Sequence, residues 1–368
     1  MSGPIVCVTG VGTLFPPVDR RLRLPDTGPS GGYLKRVSAS NLAGSFEKGS
    51  RLLRELAGIM LGPKGVQRVS QKVGKALWTQ REQSRERFLQ GKPVAAPPNP
   101  PELLVISADG GRVQTREKDP GARWKENKVG VVYRAVSRPE TPGDDYEGPR
   151  PLVRTYTATM NDWERMGDYL SQEAAQRGYD QARQKVFIGD GAQAIKSLWQ
   201  RCFVDATFIL DWAHAVEHLH ACAVAAFGTT DQAREWYEHQ KESLWHGKTH
   251  LVLRAIAKQS KRLGKPRKNS SEQDPRLVLA RNHSYFRENE SHMNYSHYRA
   301  NGWPIGSGIV ESTIKQLGKR VKGTEKHWSL TGVEAILLLM TSLLAEDKRW
   351  DSFWKSHPFS SPLSSRAA

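Results

Sequence analysis

Apolar residues repeat at helical spacing in the first part of the chain. Residues 1–40 are rich in Gly and Pro and show no sustained period, but from Ser45 apolar positions recur at intervals of three and four. A Gly-Pro segment at residues 61–65 interrupts this pattern, which then resumes. We therefore predict a loose amino-terminal arm over 1–40. We predict a helical region over 41–91, whose two helices and short turn resemble a helix-turn-helix DNA-binding unit.

The second of these helices is strongly basic. Its cationic residues are Arg68, Lys72, Lys75, Arg81, Arg85 and Arg87. An ordinary helical hairpin with a solvated basic face explains this composition as well as DNA contact does.

After a Pro-rich linker over residues 92–101, the spacing of apolar residues changes from that of helices to that of β-strands. Short apolar runs typical of buried strands begin near Leu103, Lys128, Thr155, Lys185 and Thr207. Strands followed by alternating strands and helices predict an α/β core with a mixed sheet and flanking helices. The predicted segments are the first part of the core over 102–214, an all-helical insertion over 215–300, carboxy-terminal core helices over 301–355 and a disordered tail over 356–368.

Composition narrows the class of protein. The chain has 368 residues, 38% of them hydrophobic, so it is not a wholly disordered protein. No apolar run approaches the roughly 20 residues that span a bilayer, and no basic segment leads into an apolar one at the start. Three cysteines do not build a disulfide framework, which fits a reducing cytoplasm.

The charge indicates a polyanionic partner. Lys and Arg number 55 against 38 Asp and Glu, which gives a net charge of +17. Nucleic acid is the leading candidate, because a membrane surface would require a basic amphipathic anchor that the sequence lacks. Between Ser243 and Ser271 the chain carries only basic charges. From this segment we take Arg262, Lys265, Arg267 and Lys268 as candidate DNA-binding residues.

Three aspartates follow predicted strands. Asp109 follows the apolar run that begins at Leu103, Asp190 follows the run from Lys185, and Asp211 follows the run from Thr207. Ligands of α/β sheets bind at the carboxyl ends of strands, and carboxylates gathered there suit Mg²⁺ or Mn²⁺. For any one Asp taken alone, turn chemistry is the better explanation.

Glu311 is a fourth candidate acid. It lies in the first turn of a predicted helix that Ser307 is positioned to cap. Later turns of that helix and the residues after it carry candidate phosphate-binding cations, namely Lys315, Lys319, Arg320 and Lys322. The alternative is an acid placed favourably at a helix N-terminus beside a solvated face.

The segment from His214 to His218 supports a competing hypothesis. Its His-x-x-Glu-His pattern matches that of inverted zinc proteases, with His214 and His218 as ligands and Glu217 as base. No third zinc ligand is evident, so a zinc metallopeptidase is the less favoured alternative.

Taken together, these motifs resemble the bacterial ISKra-type insertion-sequence transposases, which are distantly similar to mutator-like transposases. The resemblance runs from about Ser45 to Trp354. The segments that carry it are 107–112 (SADGGR), 188–192 (IGDGA), 211–219 (DWAHAVEHL) and 306–312 (GSGIVES), with 319–323 (KRVKG) and 327–329 (HWS) in support.

The resemblance implies an RNase H-like domain with an Asp-Asp-Glu triad, formed by Asp109, Asp190 and Glu311. Asp211 and His214 match the family's Asp-x-x-His motif near the site, and by chain order Asp211 is an alternative second acid. The implied activity is metal-dependent DNA cleavage and strand transfer with two Mg²⁺ (or Mn²⁺) ions. The implied partners are the double-stranded DNA of the element ends and the target, and a second copy of the chain when active. The implied location is the nucleoid of a bacterial cytoplasm.

The amino end departs from the family pattern. Paired cysteines are usual there, but this sequence has only Cys7. The departure predicts a truncated or diverged amino terminus. It leaves open a second function, that of a catalytically inactive transposase remnant that only binds DNA.

Overall fold

The fold is that of a computed structural model that describes residues 29–356, except 96, 120, 121, 142, 144 and 324. The chain divides into two compact units, one formed by Met1–Ser70 with Lys348–Ala368 and the other by Gln71–Asp347. Most of the predicted arm and all but the first residue of the predicted tail lie outside the described residues.

The first unit is helical in its described part. It contains α1 (Gly31–Leu42), α2 (Phe46–Ala57), the start of α3 (Pro63–Leu89) and α13 (Arg349–Ser356). Ser30 caps α1 by accepting a hydrogen bond from the Tyr33 amide, and Val37, Leu53 and Val66 form a small core.

Two predictions are corrected in this unit. The loose arm is wrong for residues 31–40, because the Ser30 cap and burial of Leu34 and Val37 stabilise a helix there. The carboxy-terminal helix α13 groups with this unit rather than with the core to which residues 301–355 were assigned.

The second unit is built on a five-stranded mixed sheet. Its strands are β1 (Leu103–Gln114), β2 (Trp124–Val136), β3 (Arg150–Thr159), β4 (Gln184–Gly189) and β5 (Thr207–Leu210), in the order β3-β2-β1-β4-β5. The first three strands are antiparallel to one another, whereas β4 and β5 run parallel to β1. The predicted mixed α/β class is confirmed.

The two faces of β1 have different environments. Leu104, Ile106 and Ala108 belong to a core shared with α4 (Trp163–Gln176) and α5 (Gln193–Cys202). Because side chains alternate along a strand, Asp109 points to the opposite face.

Helices occupy most of residues 212–300, as the sequence predicts. They are α6 (Trp212–Phe227), α7 (Asp231–Trp245), α8 (Thr249–Leu263), α9 (Pro275–Glu288) and α10 (Tyr295–Ala300). The chain then returns to the sheet, where α11 (Gly308–Val321) contacts β1 and β2 and α12 (Leu330–Leu344) contacts β3. None of the helices in the described part of the chain combines the length and hydropathy of a bilayer-spanning segment.

Candidate active site

Asp109 lies within a strand rather than at its end. Antiparallel pairing with β2 continues β1 to Gln114, so the prediction that the strand ends before Asp109 is wrong. The parallel pairing of β1 with β4, however, stops at Ser107 and Ile188. Asp109 and Asp190 each follow that last pair by two residues. They therefore lie at equivalent positions on the two chains, just beyond the point where β1 and β4 stop pairing.

Asp211 is the N-cap of helix α6 and is completely buried, with 0% exposure. Its Oδ1 accepts hydrogen bonds from the His214 amide (2.8 Å) and from His214 Nδ1 (3.1 Å). Its Oδ2 accepts one from the Ser307 amide (2.5 Å). Burial opposes ionisation of this carboxyl, but the hydrogen bonds outweigh it and hold the pKa of Asp211 below its ordinary value.

Glu311 is joined to Asp211 through Ser307. The Ser307 hydroxyl donates to Glu311 Oε1 at 3.0 Å, while the Ser307 amide binds Asp211. The Ser307 side chain therefore orients Glu311, and does not cap α11 as the sequence predicts. One ligand atom each from Asp211, His214 and Glu311 lies within 4.8 Å of the others.

The electrostatics couple Asp109 to the same group. Burial raises the pKa of Asp109; the negative charges of Asp190 and Glu311 raise it further, while the Gly110 amide and His214 lower it. The hydrogen bond to Asp211 raises the pKa of His214 to about 9, against the effect of burial. The other two carboxylates of the predicted triad thus both act on Asp109, and the His214 imidazole opposes their effect.

Asp190 and Asp211 differ in their free acceptor capacity. Asp190 is partly exposed, and its Oδ1 accepts a hydrogen bond from the Ala192 amide at 2.9 Å. Both oxygens of Asp211, by contrast, already accept N–H donors in a site without solvent contact. Of the two, the Asp190 carboxylate has more acceptor capacity left for a further ligand.

The helical insertion fixes the backbone at Asp190. The Tyr285 hydroxyl of α9 donates to the Asp190 carbonyl at 2.9 Å. Gly191 adopts a left-handed φ of +81°, and Asn289 packs against it. Nothing in the sequence pattern singles out Tyr285, because its role depends on the docking of α9 near β4.

The zinc-protease hypothesis is not supported. His218 Nδ1 is 2.6 Å from Asn282 Oδ1, and the ring stacks on Tyr285 with centroids 3.8 Å apart. Within the described residues, the group whose ligand atoms are close enough to hold a metal is Asp211, His214 and Glu311; it contains neither His218 nor Glu217, and of the predicted triad it contains Glu311 alone.

The candidate DNA-binding cations divide into two groups. Exposed at the surface are Arg262, Lys265, Arg267, Lys268, Lys315, Lys319 and Lys322. Arg320 is wrong as a DNA contact: it is 2% exposed, stacks over Trp328, and burial lowers its pKa to about 10. The Arg262 guanidinium donates to the Ala226 carbonyl and to Gln259, so its hydrogen bonds are intramolecular.

Two basic residues of α3 also have structural roles. Arg81 forms an ion pair with Glu334, and Arg85 forms ion pairs with Glu82 and Asp168. The basic face predicted for this helix is therefore smaller than its composition indicates.

No protein-family model matches the chain, and no curated protein matches it. A solved structure described as the Drosophila P element transposase strand transfer complex is similar at 10% sequence identity, covering 91% of this chain and 94% of that one. Its TM-score is 0.34, which is too low to transfer fold or function.

Proposed function

We propose that this chain is a DNA transposase of the ISKra type, a metal-dependent polynucleotidyl transferase with an RNase H-like domain. Asp109, Asp190 and Glu311 are its metal-holding acids. The observation that carries the proposal is that the negative charges of Asp190, after β4, and of Glu311, in the first turn of α11, both act on Asp109 of β1. A mixed sheet with a helical segment between Asp211 and Glu311 supports the same assignment.

The donor set fits hard divalent cations. Within the described part of the chain, neither Asp109 nor Asp190 forms an ion pair with Lys or Arg, although the net charge is +17. Lys315 Nζ lies 3.8 Å from Glu311, but its side chain is 76% exposed. Carboxylates that lack such partners suit Mg²⁺ or Mn²⁺. Two such ions, when bound, would activate first water and then a DNA 3′-hydroxyl for attack on phosphate.

The remaining residues of the site position these acids. Asp211 is a positioning residue in this proposal, because it holds the Ser307 amide whose own hydroxyl orients Glu311. It also holds Nδ1 of His214, which leaves Nε2 of that ring free to donate a hydrogen bond. Exposed cations on α11 and after α8 bind the phosphates of the element ends and of target DNA. On this proposal the chain acts on nucleoid DNA in a bacterial cytoplasm, as an oligomer.

Strand cleavage tests the proposal. The substrate is a duplex carrying the repeat that flanks the reading frame, labelled at one 5′ end. We expect nicking with Mg²⁺ or Mn²⁺ and none with EDTA or Ca²⁺. Binding of the duplex without cleavage under any divalent ion would favour the alternative, an inactive remnant that only binds DNA.

A further inference from the structure

A cavity lined in part by two tryptophans lies at the start of α6 and along α7. It has a volume of about 590 Å³ and is lined by Trp212, Glu238, His239, Lys241, Glu242 and Trp245. Trp212 directly follows Asp211 and begins α6, whereas the other lining residues belong to α7. A planar heterocycle is much smaller than this volume, so the cavity has room for one.

Both indole rings are held in place by their neighbours. The Arg299 guanidinium lies 3.6 Å from the centroid of the Trp245 ring and donates to the Trp245 carbonyl at 2.7 Å. Trp212 packs edge-on against Tyr295 and against Trp245, with centroids 4.9 and 5.2 Å apart. Aromatic surfaces that are already fixed lose little conformational freedom when a ligand stacks on them.

The polar lining carries two glutamates and one lysine, so it is acidic on balance and disfavours phosphate. Glu238 and Glu242 are exposed acids in a chain with a net charge of +17, and they repel the backbone of DNA. Their oxygens instead accept hydrogen bonds from amino groups, as carboxylates do from the N4 of cytosine. Lys241 also lines the cavity and forms an ion pair with Glu238 at 3.4 Å, so the lining has two acids against one lysine.

We propose that this cavity binds one unpaired nucleobase bearing an exocyclic amino group, taken from the DNA strand next to the cleaved phosphate. The inference rests on the proposed function, because it requires DNA at the acid cluster. Indole faces supply stacking, which accepts any base, and the two glutamates favour cytosine, adenine or guanine over thymine.

Fluorescent DNA tests the inference with the full chain. The probe is a duplex with a five-nucleotide single-stranded 3′ extension that carries 2-aminopurine at one position at a time; a matched set carries an abasic site there. We expect one position at which binding quenches the fluorescence and at which the abasic probe binds roughly 5- to 100-fold more weakly.

Variants test whether the preference for a base over an abasic site arises in the cavity. In the double variant Glu238→Gln/Glu242→Gln, and separately in Trp245→Leu, we expect the preference for the base over the abasic site to fall toward one. Glu235→Gln is the matched control, since Glu235 is exposed on the same helix and does not line the cavity. The Gln variants keep exposed side chains of similar shape, so they test the cavity even if Trp245→Leu unfolds.

The outcomes separate the two proposals. Equal binding of base and abasic probes at every position overturns the cavity assignment and leaves DNA binding intact. A preference that survives unchanged in the double glutamate variant overturns the role of the two acids. Failure to bind any duplex overturns both the cavity assignment and the proposed function.

Discussion

Two carboxylate sites in the unit Gln71–Asp347 differ in their hydrogen-bond partners: one pairs with an arginine, and the other accepts from backbone amides. Glu334 is buried and is paired with Arg81 at 2.6 Å, while the Thr159 hydroxyl (2.8 Å) and the Met160 amide (2.7 Å) donate to it. At the other site, Asp109 and Asp190 accept hydrogen bonds from the backbone amides of neighbouring residues.

The difference distinguishes acids that hold the fold from acids available to a ligand. Glu334 is neutralised by a fixed guanidinium and connects α3, β3 and α12, so its charge is satisfied within the protein. The charges of Asp190 and Glu311 instead act on Asp109, and after burial this repulsion contributes to the raised pKa of Asp109. Repulsion of this kind is relieved by a bound cation.

Removing Glu334 is expected to have the largest effect. Glu334→Ala leaves the Arg81 guanidinium, whose side chain is 13% exposed, without its counter-ion. We expect the free energy of unfolding to fall by about 3–5 kcal/mol in urea denaturation. Glu86→Ala, at an exposed position of α3, is expected to stay within about 0.5 kcal/mol. Equal stability of the two variants would contradict the structural role of Glu334.

Changing Glu311 should affect catalysis and leave stability almost unaltered. Glu311→Gln keeps the shape of a partly exposed side chain but removes a charge that holds metal. We expect Mg²⁺-dependent cleavage to slow at least about 100-fold, equivalent to about 2.7 kcal/mol, at an unchanged melting temperature. Glu217→Gln, which alters the base of the zinc-protease motif, is the control. Cleavage at the wild-type rate by Glu311→Gln would remove Glu311 from the triad.

Substitution of Asp211 is expected to lower the free energy of unfolding more than substitution of Asp190. In Asp211→Asn, the amide nitrogen faces an N–H of either His214 or Ser307, because both carboxylate oxygens of Asp211 accept hydrogen bonds. We expect a loss of about 1–3 kcal/mol of unfolding free energy. Asp190→Asn keeps an oxygen for the Ala192 amide and should lose less than about 0.5 kcal/mol.

Manganese binding tests which of the two aspartates, Asp190 or Asp211, holds metal. We expect spectroscopic titration to show fewer bound Mn²⁺ ions in Asp190→Asn and an unchanged number in folded Asp211→Asn. The reverse result would make Asp211 the second acid.

The smallest expected effect concerns the surface cations. Neutralising Lys265 and Lys268 together should make the slope of log K for DNA against log salt shallower, by up to about 0.9 for each phosphate that these side chains neutralise. Arg320→Gln should leave that slope unchanged, because Arg320 is buried. Fluorescence anisotropy across a salt series measures both. A shallower slope in Arg320→Gln alone would contradict this division of the cations.

Local patterns in the sequence were enough to predict much of the architecture. The apolar runs predict the sheet strands and the helical spacing predicts the segment after Asp211, because periodicity of burial follows from backbone geometry. These patterns did not predict the helix Gly31–Leu42, because its short apolar face is interrupted by polar residues. They also ended β1 too early, because its last residues are less apolar and are held by pairing with β2.

The sequence by itself determined which acids follow apolar runs and where cations concentrate. The tertiary structure decided what each of them contacts. Asp211 is enclosed by Ser307, a residue far along the chain, and Arg320 is covered by Trp328. Residue type and spacing do not reveal such partners, because burial and hydrogen bonding between distant segments arise only when the sheet and helices pack. The distinction between an acid that positions its neighbours and one open to a ligand is therefore a property of the folded chain.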